Sequence, residues 1–570
     1  MDAAAAQLVL SAPLVASSPF CVPSQPCWPS TASWAALNSS LQGHLIRPDG
    51  PAVCTPEECV DPHWRMEQPG GVMFLNFEYV SFLANGLGLL PDDPSVGATA
   101  VPVSPASGDR TPSYVLEAHS ADDVSQGVAF AAEHRLRLRV KSTGHDYLGR
   151  SSDPGSFTIW THHLNSSRFE PSFLPAGAPE GTAPEKALLV GAGTTVKGVY
   201  KAADEAGVVV VGGVSQTVGA AGGYVLGGGH GPFGPLHGLA ADNVLEFTVV
   251  IANGTIIRCS PYQHPMLFTA LRGGGSAFAV VTEVAFKAHD PPAGFVGIFG
   301  SFGPRHGANA TGDGGKGAWK EMLKRWVELQ PKLSAAGPFA GYTYVRRPED
   351  TPFAYILPSP DVELAKNLFR PVFTAALLDE DIDIEFRYVQ TKSWYELWHG
   401  EFTKALNSLD RVGISILLGS RLVPKQVVEQ KADELATFMA EAASPAIIHL
   451  VAGGAVEREP DFPSSVNPAW RKALLHIDLP VSWAPTASPP TIRSLASYLT
   501  SHTLALGAIS SSLGDSQASY ASESDYYEDG WQDVWYGREN YARLLEAKEE
   551  WDPRGVFSAR KAVGSEIVGW

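Results

Sequence analysis

The sequence predicts an α+β protein built from more than one domain, and three observations lead there. At 570 residues the chain is too long for a single hydrophobic core. Helix-period and strand-period segments interleave from Tyr114 onward, and past residue 290 the texture shifts to longer amphipathic helices between strand-like runs. Between them, residues 212–244 carry more Gly than a helix or an ordinary strand tolerates.

Residues 1–105, rich in Pro, Ser and Ala, read as a disulfide-stapled N-terminal extension. Cys21, Cys27, Cys54 and Cys59 cluster there, while Cys259 stands apart at the end of "GTIIRC". Two disulfides among the four are expected, in any of three pairings, with Cys259 free; a zinc site is the alternative, but no CxxC or nearby His pair supports it. Sequons at Asn38, Asn165, Asn253 and Asn309 are compatible with secretion. The opening "MDAAAAQLVLSAPLVASS" is apolar, yet it carries Asp2 and no Lys or Arg, unlike the basic start of a signal peptide.

Residues 106–290 are expected to form the first folded domain. In "HSADDVSQGVAFAAEHRLRLRVK", Ser120 and Asp123 are spaced as a helix cap and its partner; Val124, Val128 and Ala131 share one face, and the run then alternates as a strand. "KALLVGAGTTVKGVYKAADEAGVVVVGG" reads as strand, Gly turn, helix, strand, and "LEFTVVIANGTIIRC" as two strands about the hairpin signal Asn253-Gly254. Residues 291–500 read as a second α+β domain, with helices in "GAWKEMLKRWVELQPKL" and "KQVVEQKADELATFMAEAA" and strands in "DIEFRYVQ", "VGISILLGS", "AIIHLVAGGAV" and "ALLHIDLPVSW". Residues 501–570 add one more helix in "WQDVWYGRENYARLLEAKEEWDPRGVF", whose aromatic face can pack on the first domain.

Composition excludes some partners. With 42 basic against 60 acidic residues the net charge is −18, which disfavours nucleic acid and anionic membranes. No apolar run reaches the roughly 20 residues of a membrane span.

Val, Leu, Tyr and Phe punctuate the glycine-rich segment, which argues against a flexible linker and for backbone N–H groups brought against a large ligand. No Gly-Lys-Ser/Thr closes it as a nucleotide loop, and "GAGTTV" lacks the third Gly of a dinucleotide fingerprint. A further cluster, "LRGGGSAFAVVTEVAFKA", precedes another strand. Three backbone-approach segments separated by strands suit an extended dinucleotide such as FAD. No metal site is suggested.

Five blocks in order resemble the fungal branch of the berberine-bridge-enzyme-like flavoproteins, within the vanillyl-alcohol-oxidase superfamily: "CWPSTASWAALNSSLQGHLI", "KSTGHDYLGRSS", "TVGAAGGYVLGGGHG", "GLAADNV", and "ENYARLLEAKEEWDPRGVF" with "VGSE". The nearest flavour is isoamyl-alcohol-oxidase-like. The resemblance implies a PCMH-type, two-subdomain FAD-binding domain, a substrate domain of antiparallel sheet covered by helices, and a C-terminal segment returning to the FAD domain. It implies a covalent bond from His145 to the flavin. Some relatives add a cysteinyl bond from the residue two before the Thr of TVG; here that is Ser215, so a single histidyl link is expected. Cofactor contacts carry over onto Ser142, Thr143, Gly144, Asp146, Leu148 and Ser151 of the first turn. They continue through Gly213, Ser215, Thr217, Val218, Gly219, Gly222, Gly223, Gly228, Gly229, His230 and Gly231, then Asp242 and Val244, and finally Asn540 and Tyr541. His230 and His237 read as packing or phosphate-side residues, not as catalysts.

The resemblance implies a secreted, monomeric oxidase passing hydride from an alcohol, sugar or phenolic substrate to FAD, with O2 as acceptor. An oxidative cyclase or desaturase, a dehydrogenase and a non-catalytic relative share the same cofactor motifs. For catalysis, His476 and Asp478 lie two apart on "LLHIDLPVSW" and so share a face, at the positions of the family's Lys-x-Gln. "YASESD" resembles the family's Tyr-x-Asn-Tyr/Glu segment, placing Tyr520 and Glu523 over the substrate with Ser522 where Asn is usual. His476 is expected as base, oriented by Asp478 or Glu523, with Tyr520 and Tyr541 as further candidates.

Overall fold

The computed structural model of the chain describes residues 20–48, 66–67, 112–153, 155–305, 315–346, 350–407, 415–441, 445–483 and 487–567. Sixteen strands among them form three sheets. In the first, β1 (Leu45–Ile46) runs antiparallel to β2 (Tyr114–Glu117), and β2, β4 (Phe157–Trp160) and β3 (Leu138–Lys141) are parallel neighbours in that order. The helix Ala121–His134 supplies the crossover and carries the expected capping box: Ser120 Oγ accepts from the Asp123 amide, and Asp123 Oδ2 accepts from the Ser120 amide.

The second sheet is antiparallel, in the order β5 (Ser167–Phe173), β6 (Glu185–Gly191), β9 (Val280–Lys287), β7 (Val244–Val250), β8 (Ile256–Cys259). The hairpin between β7 and β8 turns at Gly254, whose φ of +87° is open to Gly at no steric penalty. The expected strand over Val208–Val211 is instead a buried extended run with one bridge, Val209 to His289, because no continuous partner edge lies beside it.

The third sheet has seven antiparallel strands, ordered β13 (Ile382–Thr391), β10 (Phe295–Pro304), β12 (Thr351–Leu357), β11 (Ala340–Val345), β15 (Ala446–Leu450), β16 (Ala473–Trp483), β14 (Ser415–Pro424). β10, β11 and β12 were not read from the sequence. Both of their faces are covered, so they lack the apolar–polar alternation that marks a half-exposed strand. One face packs on helices including Lys316–Ala336, Val362–Leu378, Ala432–Glu441 and Pro489–Ser510, through residues such as Leu475, Ile477 and Leu479 of β16. The other face turns toward the glycine-rich segment, and His476 and Asp478 alternate onto it.

Two expected helices are each broken in two: Lys425–Gln430 and Ala432–Glu441 part at Lys431, and Trp531–Tyr536 and Arg538–Trp551 part at Gly537, whose φ is +81°. The last helix buries Tyr541, Leu544 and Ala547 in the core of the glycine-rich half, and Lys548 Nζ donates to the Ala277 carbonyl at 2.7 Å. A buried pair, Arg471 with Asp242 at 2.8 Å, fastens the approach to β16 onto that same half.

Cys21 and Cys27 form a disulfide, and Cys259 is a buried free thiol. The second expected disulfide, on Cys54 and Cys59, lies outside the described residues, as does Asn309. No helix among the described residues is long and apolar enough to cross a membrane.

Candidate active site

One cavity of about 1590 Å³ lies between the glycine-rich half and the inner face of the seven-stranded sheet. It exceeds the roughly 300–1,000 Å³ of a drug-sized ligand site, leaving room for a dinucleotide together with a substrate. Two of the three backbone-approach segments border it, through Gly213 to Gly219 with Gly222 and Gly223, and through Gly275, Ser276 and Ala279 to Val281, together with the turn Ser142 to Asp146. Of "GAGTTV" only Ala192 does, because Gly191 and Gly193 let the chain pack on the Leu164 and His162 carbonyls. A Cβ on Gly219 would stand 2.4 Å from Ser142 Oγ, while one on Gly223 would meet no atom within 4 Å and would project into open space. The segments are laced together: the Gly219 amide donates to Thr143 Oγ1 at 3.1 Å, and Ser142 Oγ donates to the Ala192 carbonyl at 2.8 Å. Backbone polar groups on a long enclosed wall are what a dinucleotide requires, so the residues fit FAD.

His145 sits on this wall. The turn after β3 is held by Asp146, which accepts from the Arg150 amide at 2.6 Å and pairs with the Arg150 guanidinium at 2.6 Å. His145 Nε2 lies 2.8 Å from Thr217 Oγ1, and burial pulls the imidazole pKa down to about 3, so the ring is neutral. Ser151, Ser215, Thr217 and Val218 also line the cavity.

Other expected cofactor contacts do not border the cavity, and each has a structural occupation. Leu148 and Val244 are in the core. A Cβ on Gly231 would fall 1.9 Å from the Gly212 carbonyl oxygen, and one on Gly229 would fall 2.8 Å from Ala240 Cβ, so these glycines permit chain against chain. Gly228, whose φ is +120°, likewise packs toward Val466. Asp242 accepts from the Leu239 amide and pairs with Arg471. Asn540 donates to the Val466 carbonyl at 2.9 Å, and Tyr541 donates to Glu566 at 2.5 Å. Tyr536, five residues earlier and before the break at Gly537, borders the cavity instead.

The opposite wall is the sheet. Directly paired residues of antiparallel strands share a face, and Tyr342 pairs with His449, which pairs with His476. Into this row project Tyr520 and Glu523 from the loop after Pro489–Ser510, and His230 from the glycine-rich segment. Glu523 Oε2 accepts from His476 Nε2 at 2.8 Å and from His230 Nε2 at 3.0 Å. Asp478 Oδ1 lies 2.9 Å from His476 Nε2, and its Oδ2 lies 3.7 Å from His449 Nε2. His230 therefore belongs to this cluster and not to a phosphate side, since the loop turns it across the cavity. His237 stacks on His289 at 3.7 Å, away from the cavity.

His476 does not fit the part of base. It is fully buried behind the cavity wall, and its Nε2 is engaged by two carboxylates. Burial alone would lower its pKa, but Asp478 and Glu523 outweigh that and carry it to about 10, which leaves it protonated with nothing to accept. Burial raises Asp478 to about 6 against the pull of His476. Burial would likewise raise Glu523, yet His230 and His476 hold it well below the usual carboxylate range. Burial, reinforced by His476 and His230, keeps His449 well below an ordinary histidine. His449 was not singled out from the sequence; its signal is one imidazole inside the apolar run "AIIHLV".

Residues 112–260 match the family described as FAD binding domain, and residues 514–564 the family described as berberine and berberine like. An uncharacterized FAD-linked oxidoreductase of Arthroderma benhamiae is 34% identical, the match covering 89% of this chain and 85% of that protein. A VAO-type flavoprotein oxidase of Thermothelomyces thermophilus is 30% identical over 94% of this chain and 90% of its own. Among solved structures, a VAO-type flavoprotein of Myceliophthora thermophila superposes with a TM-score of 0.82 at 25% identity, covering 97% of this chain and 98% of that one. A glucooligosaccharide oxidase of Acremonium strictum, described as carrying a 6-S-cysteinyl, 8α-N1-histidyl FAD, shares the fold at 18% identity with a TM-score of 0.62, covering 80% and 92%.

Proposed function

Because the chain belongs to the FAD-linked oxidoreductases of the VAO and berberine-bridge-like type, we propose that it is a secreted oxidase acting on an alcohol-type substrate, sugars and phenolics included, with O2 as acceptor. When bound, the flavin supplies a ring that takes a hydride from the substrate carbon and returns the electrons to O2 as H2O2. The single observation that carries the reading is that two glycine-rich segments and the turn of His145 wall one side of a cavity whose other side is lined with acids, imidazoles and phenols.

His145 is the attachment residue. Thr217 Oγ1, 2.8 Å from Nε2, fixes the ring's orientation, and burial keeps the ring in its neutral, nucleophilic form. Ser215 stands where a thioether-forming cysteine would be needed for a second link, and a hydroxyl cannot replace the thiol, so the link is single. Across the cavity, Asp478 is the acceptor for the substrate hydroxyl proton: it borders the cavity, whereas His476 lies behind it and Glu523 Oε2 already accepts two hydrogen bonds. His476 and Tyr520 position these carboxylates. The Cys21–Cys27 disulfide and the exposed sequon residues Asn165 and Asn253 support an oxidising compartment.

The test joins colour with turnover. Wild-type protein precipitated in acid should stay yellow, and His145→Ala should release its flavin. A peroxide-coupled screen of alcohols, sugars and phenolics should then find turnover. With the substrate found, Asp478→Asn should slow anaerobic flavin reduction by on the order of a hundredfold or more. Loss of colour from the wild type would overturn the covalent link; flavin reduction without peroxide would assign a dehydrogenase.

A further inference from the structure

The histidines around Glu523 form a polar surplus that hydrogen bonding does not absorb. His230, His449 and His476 are 7%, 6% and 0% exposed, and the Nδ1 atom of each is buried without a hydrogen-bond partner. Glu523 Oε2 serves the Nε2 atoms of both His230 and His476, and Asp478 Oδ1 lies 2.9 Å from the latter. His449 Nε2 faces Asp478 Oδ2 only at 3.7 Å, beyond hydrogen-bond range. An ion would need these donors to converge on one point at coordination spacing.

The geometry supplies it. The three ring centroids are 5.2 Å apart on every side: His230 to His449, His230 to His476, and His449 to His476. Three imidazoles bound to one ion at ~2.0–2.1 Å through nitrogen place their centroids ~3.2 Å from it, and tetrahedral angles then set the centroids ~5.2 Å apart. One ligand atom from each histidine and from Glu523 lies within 4.8 Å of all the others. Seating an ion needs Glu523 Oε2 to withdraw from its present 2.8 and 3.0 Å contacts to the ~3.3 Å edge of such a tetrahedron, a small movement for a loop side chain. Tyr520, stacked edge-on against His230 at 5.2 Å and His476 at 5.8 Å, holds the rings in this arrangement. An ion would displace the proton that His476 otherwise carries, and one dication with three neutral imidazoles would then balance the two carboxylates of Glu523 and Asp478.

We propose that His230, His449, His476 and Glu523 bind a divalent first-row transition metal of the zinc or copper class. Imidazole with one carboxylate favours such ions over calcium or magnesium, which take all-oxygen sets. His230, His449 and Glu523 border the cavity, so the ion has a side open to it and takes an oxygen donor from the substrate: an alkoxide, phenolate or carboxylate. The sequence suggested no metal centre because its four ligands lie on four separate segments with no motif spacing. The site does not depend on the flavin reading.

The experiment uses the full-length flavoprotein, stripped with a chelator, exchanged into metal-free buffer and titrated with Zn2+ in a calorimeter, with the metal retained through gel filtration measured by mass spectrometry. One tight equivalent per chain is expected. His449→Ala should weaken it by more than the roughly 10–100-fold that loss of an outer-shell partner produces, with flavin absorbance reporting the fold. If His449→Ala does not fold, Glu523→Gln, which keeps the side-chain volume, is read in its place. His163→Ala, in the separate surface group of Glu117, His119 and His163, should leave the tight equivalent intact. Cu2+ in the wild type should give an electron paramagnetic spectrum with nitrogen couplings that decline in the His449 variant. No retained zinc, or a tight equivalent that survives the cluster variant or vanishes with His163→Ala, overturns the proposal.

Discussion

Arg421 of β14 is fully buried beneath the loop that carries Tyr520 and Glu523, and it is the clamp on that loop. Its Nη1 donates to Glu528 at 2.7 Å, to Ser519 Oγ at 2.9 Å and to the Ser420 carbonyl at 2.8 Å; its Nη2 donates to Glu528 at 3.0 Å and to Gln517 at 3.3 Å. Arg421→Met removes the cation and leaves the Glu528 carboxylate, 5% exposed, without its counter-charge. Breaking a buried pair from one side costs about 3–5 kcal/mol, whereas replacing both partners by apolar groups is often close to neutral. The double variant Arg421→Met/Glu528→Leu should therefore be more stable than Arg421→Met alone, with a coupling of about 2 kcal/mol or more once the lost Ser519 and Gln517 contacts are counted. Urea unfolding of the four proteins of the cycle measures this, and limited proteolysis reports cleavage within 514–528. A single variant losing less than about 1 kcal/mol, or additive losses in the double, would refute the clamp.

Three further outcomes follow from buried groups. Attachment of FAD to apoprotein should proceed at nearly equal rates at pH 5 and pH 8, because burial holds His145 near 3 and leaves it neutral throughout; an ordinary histidine would be roughly thirtyfold less reactive at pH 5, and such a drop measured by acid-stable flavin would count against the assignment. Lys141 is fully buried, its Nζ 4.5 Å over the Trp160 ring, and burial lowers its pKa to about 7 against the pull of Glu67. The unfolded chain then binds the extra proton between about pH 7 and 10.5, so stability rises with pH across that window by up to on the order of 5 kcal/mol; Lys141→Met should flatten the rise in thermal midpoint. Cys259, whose thiol burial and Glu246 push up, should resist alkylation in native protein and react in urea, while non-reducing peptide mapping finds Cys21 joined to Cys27; a bridged Cys259 would contradict the structure.

Local signals in the chain were legible wherever the partner of a residue lies close in sequence. Ser120 and Asp123 cap the helix that their spacing predicts, and Asn253-Gly254 turns the hairpin. Three Gly clusters were read as backbone approaching one ligand, and two of them border one cavity, while the glycines of "GAGTTV" pack chain against chain. What failed depended on distant partners. β10, β11 and β12 are covered on both faces, so their burial erases the period that would reveal them. Tyr541 matched a motif, but the break at Gly537 rotates the helix so that Tyr536 faces the cavity and Tyr541 meets Glu566. His476 was placed on the correct face of β16, yet the depth of that face and the two carboxylates around it are set by β15 and the 514–528 loop, which no local pattern encodes.

The Arg471–Asp242 pair and the imidazole cluster have one property in common: each spans segments of the chain that recombination would separate. A graft of the seven-stranded sheet alone from a relative would bring a new His449, His476 and Arg471 position but keep the recipient's His230, Glu523 and Asp242. Half of each constellation would then face a stranger. Exchange of the sheet in this protein therefore has an indivisible unit, which is the sheet together with the loop of Glu523, the segment of His230 and the aspartate that fastens it.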